Sequence, residues 1–198
     1  MGIANTTAAA CLICAFTDAL PEQVVGRGTG VDDVGLARKR EVVTAALARA
    51  RAAIGTAGPE VGQSGTGGAA TTARQLFAHL GGLEIAAMAG LYTEAARNGV
   101  PVLLDGYIST AAALAAVRLE PGTLPWMLAS HRSAEGGHSV ALQALGLDPL
   151  VDLRMRLGEG SGAALTLPII RAALALHRNM ATFAQAGVDG GAPAGATS

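Results

Sequence analysis

Three short apolar runs constrain this chain more than any other feature. "VPVLLDG" (Val100–Gly106), "WMLASH" (Trp126–His131) and "LVDLRM" (Leu150–Met155) each lead into a polar, glycine-bearing stretch and then a helical one. Continuous apolar runs of this length between chain breakers read as buried strands, and strands alternating with helices read as an α/β fold with a mostly parallel sheet flanked by helices. In such folds ligands sit beyond the carboxyl ends of the strands. Three loops meet that description: "DGYIST" after Leu104, "SHRSAEGGH" after Ala129 and "RLGEGSG" after Met155.

The rest of the pattern is helical. Thr6–Ala19 is Ala-rich with Asn5 or Thr6 as N-cap, and Pro21 closes it. A helix from Leu36 to about Ala53 puts Leu36, Val43, Leu47 and Ala50 on one face, with Asp32 and Asp33 ahead of it. Helices are also expected over Ala73–Leu80, Leu83–Asn98, Ser109–Leu119 with Ser109 as N-cap, His138–Leu145 ended by Gly146, and Gly162–Ala186 broken or kinked at Pro168. Residues 54–72 are mostly Gly, Ala, Thr and Ser and read as an insertion. Residues 187–198 read as a fraying tail. One domain over residues 1–186 is expected.

Composition narrows the function classes. The chain has 198 residues, 51% hydrophobic but only 3% aromatic, so a core of Ala, Leu, Val and Ile is required. Fourteen basic residues face 15 acidic ones, and Lys39 is the only lysine. Without a basic patch or a stacking platform, nucleic-acid binding is not expected. No apolar run reaches the ~18 residues of a membrane span. Met1–Thr17 lacks the basic start of a signal peptide. Two cysteines, Cys11 and Cys14, make no disulfide framework and suit a reducing, cytoplasmic setting. Their C-x-x-C spacing lies inside an apolar helix, which favours buried inert thiols.

Six blocks in order carry a family resemblance: "MGIANTTAAA" (Met1–Ala10), "GRGTGVDDVGLARK" (Gly26–Lys39), "GGLEIAAMAG" (Gly81–Gly90), "PVLLDGYISTAAAL" (Pro101–Leu114), "ASHRSAEGGH" (Ala129–His138) and "MRLGEGSGAAL" (Met155–Leu165). The chain resembles the nicotinate-nucleotide–dimethylbenzimidazole phosphoribosyltransferases, which assemble the lower-ligand nucleotide of cobalamin. The resemblance implies a three-layer α/β core with a small helical subdomain, a homodimer, and neither metal nor cofactor. It covers only part of the family's chain. The family's N-terminal half, which builds much of the base pocket, precedes "GEMGIGNTT". This sequence starts at the Met of that motif and carries Ala4 in place of its second glycine. A partner-dependent or non-catalytic module binding nucleotide or base is the alternative, with the N-terminal half supplied separately.

The implied reaction moves the phosphoribosyl group of nicotinate mononucleotide to 5,6-dimethylbenzimidazole, giving α-ribazole 5′-phosphate and nicotinate. The pyridinium leaving group is already activated. The benzimidazole N–H must be lost, and a carboxylate in a water-poor pocket can take that proton. Glu159 matches the family's catalytic base. Gly158 and Gly160 around it allow close backbone approach to a ligand. Without the resemblance, Glu159 reads first as a solvated loop carboxylate at a helix start, since most loop carboxylates are solvated. Lys39 and Ser133 match positions at the nucleotide site, and Gly2 belongs to a loop whose N–H groups suit a phosphate. The plainer alternatives are a solvated charge run for Lys39 and a turn cap for Ser133. "GRGTG" reads as a phosphate cradle or an ordinary tight loop. Asp105 suits a sugar hydroxyl or an Asp-Gly turn. His131 and His138, with Glu135 between them, lack a third ligand, so they read as structural or solvated loop histidines rather than metal ligands.

Overall fold

The structure, a computed structural model, describes residues 5–28, 30–56 and 66–188. The elements in chain order are α1 (Asn5–Thr17), α2 (Pro21–Val24), α3 (Asp33–Thr56), α4 (Thr66–Leu80), α5 (Leu83–Arg97), β1 (Val102–Leu104), α6 (Tyr107–Leu119), a 3-10 turn (Pro121–Trp126), β2 (Met127–Ala129), β3 (His131–Ser133), α7 (Gly136–Leu145), β4 (Val151–Met155) and α8 (Ser161–Asn179).

The α/β pattern holds, and every strand pair is parallel. Val102, Leu103 and Leu104 of β1 pair with Met127, Leu128 and Ala129 of β2. The expected single strand over 126–131 is instead two. At Ser130 the backbone exchanges neighbours: its N–H donates to Leu104 O (3.0 Å) on the β1 side, while its carbonyl accepts from Val151 N (3.1 Å) of β4. From His131 onward the partner is β4, and the register slips between His131↔Val151 and Ser133↔Met155. Arg154, with φ 54°, takes up that slip.

Alanine lets the core helices lie close together. Ala111–Ala116 of α6 are all buried, and α6 packs against α1, α4, α5 and α7. Leu12 and Ile13 of α1, Val43 of α3 and Ile85 of α5 fill the space around it. Each such side chain stabilises the fold by about 1.5–3 kcal/mol relative to exposure. Cys11 and Cys14 are free and buried, and burial pushes their thiols up to about 11 and about 12. Both are therefore poor nucleophiles.

Several boundaries differ from expectation. Residues 66–72 are the first half of α4, not linker, while residues 57–65 of that segment lie outside the described residues. Ser109 does not cap α6. The helix starts two residues earlier, with Gly106 at the cap, and Ser109 Oγ donates to Gly106 O (2.8 Å). α8 runs through Pro168 unbroken. Pro168 has no N–H to give the carbonyl of Ala164, a residue on the exposed side of the helix. α8 ends at Asn179 rather than 186. Of the expected tail, only Gly187 and Val188 are described. α3 runs from Asp33 to Thr56 rather than from Leu36 to about Ala53, with Asp32 Oδ1 accepting from Gly35 N (2.8 Å) at its start, and Gly146 closes α7 as expected, with φ 66°. No described helix is long and apolar enough to cross a membrane.

Candidate active site

β1 pairs with β2 and β4 with β3, and the residues that follow β1, Asp105 and Gly106, lie against His131 and Ser133 of β3 and against the glycine-bearing loop after β4. Asp105 follows β1 directly. Its Oδ2 accepts from Gly160 N (3.2 Å), and its Oδ1 accepts from Gly162 N (2.9 Å) and Ala163 N (3.0 Å). The loop after β1 is thus tied to the loop after β4. The Asp105 carboxylate, expected at a sugar hydroxyl, is engaged by three backbone donors.

Gly158, Glu159 and Gly160 have φ of 77°, 57° and 78°, three left-handed residues in succession. Glycine adopts this freely; glutamate pays about 1–2 kcal/mol. The sequence suggested the flanking glycines but not the left-handed Glu159 itself. Asp18 and Arg154 share this backbone region, so it is the flanking glycines that set the Glu159 turn apart. The expected water-poor pocket does not form around Glu159, which is exposed among the described residues.

The second cluster surrounds Lys39. Its Nζ donates to Gly26 O (2.9 Å) and to Thr6 Oγ1 (3.3 Å). It is not a solvated member of a charge run. Burial pushes its pKa below the ordinary lysine value, and the Glu135 carboxylate opposes that. Gly28, left-handed at φ 56°, lies so close that a Cβ there would stand 3.4 Å from Lys39 Nζ. The first three residues of "GRGTG" therefore wrap the only lysine at the start of α1. Gly2 lies outside the described residues.

Partly buried close contacts and hydrogen bonds join the two clusters. Gly26 abuts Glu135, whose Oε2 would stand 1.9 Å from a Cβ at Gly26. Glu135 N donates to Ser133 Oγ (3.3 Å). Ser133 Cβ in turn borders Gly106, the residue after Asp105. His138 Nδ1 accepts from Ser133 N (2.8 Å), so its proton sits on Nε2, which donates to Thr110 Oγ1 (2.9 Å); Thr110 then donates to Gly106 O (2.8 Å). Burial, with smaller contributions from His131 and Arg132 and against the pull of Asp105, holds His138 down to about 4. His131 lies between Gly106 and Gly162, and a Cβ at Gly162 would fall 1.8 Å from its Nδ1. His131 belongs to β3 and His138 to α7, so neither is a solvated loop residue. Among the described residues no three His, Cys, Asp or Glu side chains converge as metal ligands. Gly26 is flagged by "GRGTG", whereas the contacts of Thr6, Glu135 and Gly162 arise only from residues distant in sequence.

Residues 1–188 match a family model described as phosphoribosyltransferase. The chain belongs to the nicotinate-nucleotide–dimethylbenzimidazole phosphoribosyltransferase family. It is 57% identical over 190 residues to the enzyme of that name from Chromobacterium violaceum, covering 96% of this chain and 51% of that protein. It is 50% identical to the one from Bradyrhizobium sp. (strain ORS 278), covering 96% of this chain and 50% of that protein. The crystal structure of CobT from Thermus thermophilus superposes with a TM-score of 0.80 at 46% identity, over 96% of this chain and 52% of that one. The chain thus spans about half the length of the family relatives it matches.

Proposed function

We propose that the chain takes part in phosphoribosyl transfer from nicotinate mononucleotide to 5,6-dimethylbenzimidazole, with Glu159 as general base. This reading is supported by a left-handed Glu159 on a turn bonded to Asp105, which links through Gly106, Ser133, Glu135 and Gly26 to Lys39, in a chain of this family. One benzimidazole nitrogen attacks C1′ of the ribose. The C1′–N bond to the pyridinium breaks, and its electron pair leaves with nicotinate. The second benzimidazole nitrogen gives its proton to the Glu159 carboxylate. Lys39, Ser133 and the Gly2 loop hold the 5′-phosphate by charge and hydrogen bonds. Gly158 and Gly160 let the backbone approach the ribose. The products are α-ribazole 5′-phosphate and nicotinate, and no cofactor or metal enters the step.

The exposure of Glu159 favours a cleft completed from outside the described residues. A general base works best where water is excluded. We propose that a second copy in a homodimer, or an N-terminal half of the family's length, supplies the missing wall, and that the protein works in the cytoplasm. The test mixes the chain with both substrates and follows nicotinate by chromatography. Release that requires the benzimidazole supports the transferase. Calorimetric binding of nicotinate mononucleotide without release, in the chain alone and with an added N-terminal half, supports a binding module instead.

A further inference from the structure

We propose that Asp105 is a positioning residue: from the end of β1 its carboxylate holds the Gly158–Gly160 turn and the first turn of α8, and so sets where Glu159 stands. The inference rests on the reading of Glu159 as base.

Three observations converge on it. The turn has few bonds of its own: Ser161 N donates to Gly158 O (3.0 Å) and Ala164 N donates to Gly160 O (2.8 Å), while Asp105 accepts from Gly160 N (3.2 Å). The N-cap of α8 is Gly160, which has no side chain to accept from the free N–H groups. Asp105, 55 to 58 residues distant in sequence, does that work on Gly160, Gly162 and Ala163. α8 is also thinly packed: of its residues only Gly162 and Thr166 are buried. Core packing therefore does little to locate its start.

Asp105 itself is firmly seated. Its backbone carbonyl accepts from Ser130 Oγ (2.9 Å), and the next carbonyl, Gly106 O, accepts from Ser109 and Thr110. Its side chain is only 18% exposed, with His131 Nδ1 4.0 Å from Oδ1. Gly162 closes against His131 with no room for a Cβ. A carboxylate so enclosed is arranged to grip a helix start.

The test compares wild type with Asp105→Ala and Asp105→Asn in two measurements. In the first, amide hydrogen exchange at Gly160, Gly162 and Ala163 is expected to rise at least about tenfold in Asp105→Ala, with α1 and α6 amides unchanged. In the second, kcat for nicotinate release is expected to fall on the order of 10²-fold, while KM and calorimetric Kd for nicotinate mononucleotide stay within about threefold. Asp105→Asn keeps one acceptor oxygen for Gly162 and Ala163 and should recover part of both effects. Unchanged exchange overturns the proposal. So does a weakened Kd with kcat preserved, which is the signature of a sugar ligand, and so does faster exchange with kcat intact. A wild-type chain that binds nucleotide but never releases nicotinate removes Glu159 as base. Exchange alone then decides whether Asp105 holds the turn.

Discussion

α6 and α8 both follow a parallel strand, and both are rich in Ala and Leu, yet their surroundings are opposite. In α6 every residue from Thr110 to Ala116 is buried, enclosed by four other helices. In α8, Leu165, Leu167, Ile169, Leu174 and Leu176 all stand in water, as does Leu153 in the neighbouring β4. Apolar composition states what a helix is able to bury, while the neighbours decide what it does bury. The α6 side is a finished core that sets stability. The α8 side is a platform whose first turn is tied down at Asp105 and whose length has no cover among the described residues.

Substitutions separate these two regions. Leu12→Ala, in the α1 layer against α6, should lower unfolding free energy by about 2–5 kcal/mol, read from chemical denaturation, because it leaves a cavity in a dense core. A loss under about 1 kcal/mol would mean that the α1–α6 layer is loosely packed.

His138 links the two sides and supplies a pH test. The folded chain holds it down to about 4, against about 6.5 unfolded. Above pH 6.5 it is neutral in both states, and its stabilising contribution is fully present. As pH falls from about 6.5 to about 4 the unfolded chain takes the proton first, so up to about 3 kcal/mol is lost across that window. Subtracting the denaturation curves of His138→Gln from those of wild type at each pH should recover that loss. A flat difference would show that the histidine is not buried as a neutral group.

Gly162→Ala probes the seam itself. A methyl group there meets the His131 ring, so about 1–3 kcal/mol of stability is expected to go, together with nicotinate release, since the start of α8 must shift. Full activity with native stability would show that the seam is soft. The smallest change is expected far along the platform. Leu174, 50% exposed, should accept Ala within about 0.5 kcal/mol in the isolated chain. A large loss there would mean that α8 is already covered, by a second copy or by another segment, and sedimentation of the same sample distinguishes the two.

The sequence revealed much of this arrangement where local chemistry decides structure. α5 and its stop at Asn98, the left-handed Gly146, the Asp32 cap and the strand positions of β1 and β4 all follow from periodicity and breakers. Long-range pairing decided the rest. The split at Ser130 exists because β1 ends where β4 begins, which no local pattern encodes. Thr66–Thr72 reads as linker because Gly, Ala and Thr are weak signals, yet it continues into the helix that Ala73 and Leu80 anchor in the core. In the candidate site, glycines mark Glu159 and the lone lysine marks the cluster with Thr6 and Gly26. The roles of Asp105, His131 and His138 depend on three strand ends meeting and were hidden.

The central claim is that one carboxylate, on a turn held left-handed at the strand ends, removes the proton from the incoming base. The most direct test is the rate of nicotinate release by wild type and Glu159→Gln, each with nicotinate mononucleotide and dimethylbenzimidazole. Loss of a general base predicts a fall of about 10²–10⁴-fold with nucleotide binding and thermal midpoint preserved. Equal rates in the two proteins would contradict the account.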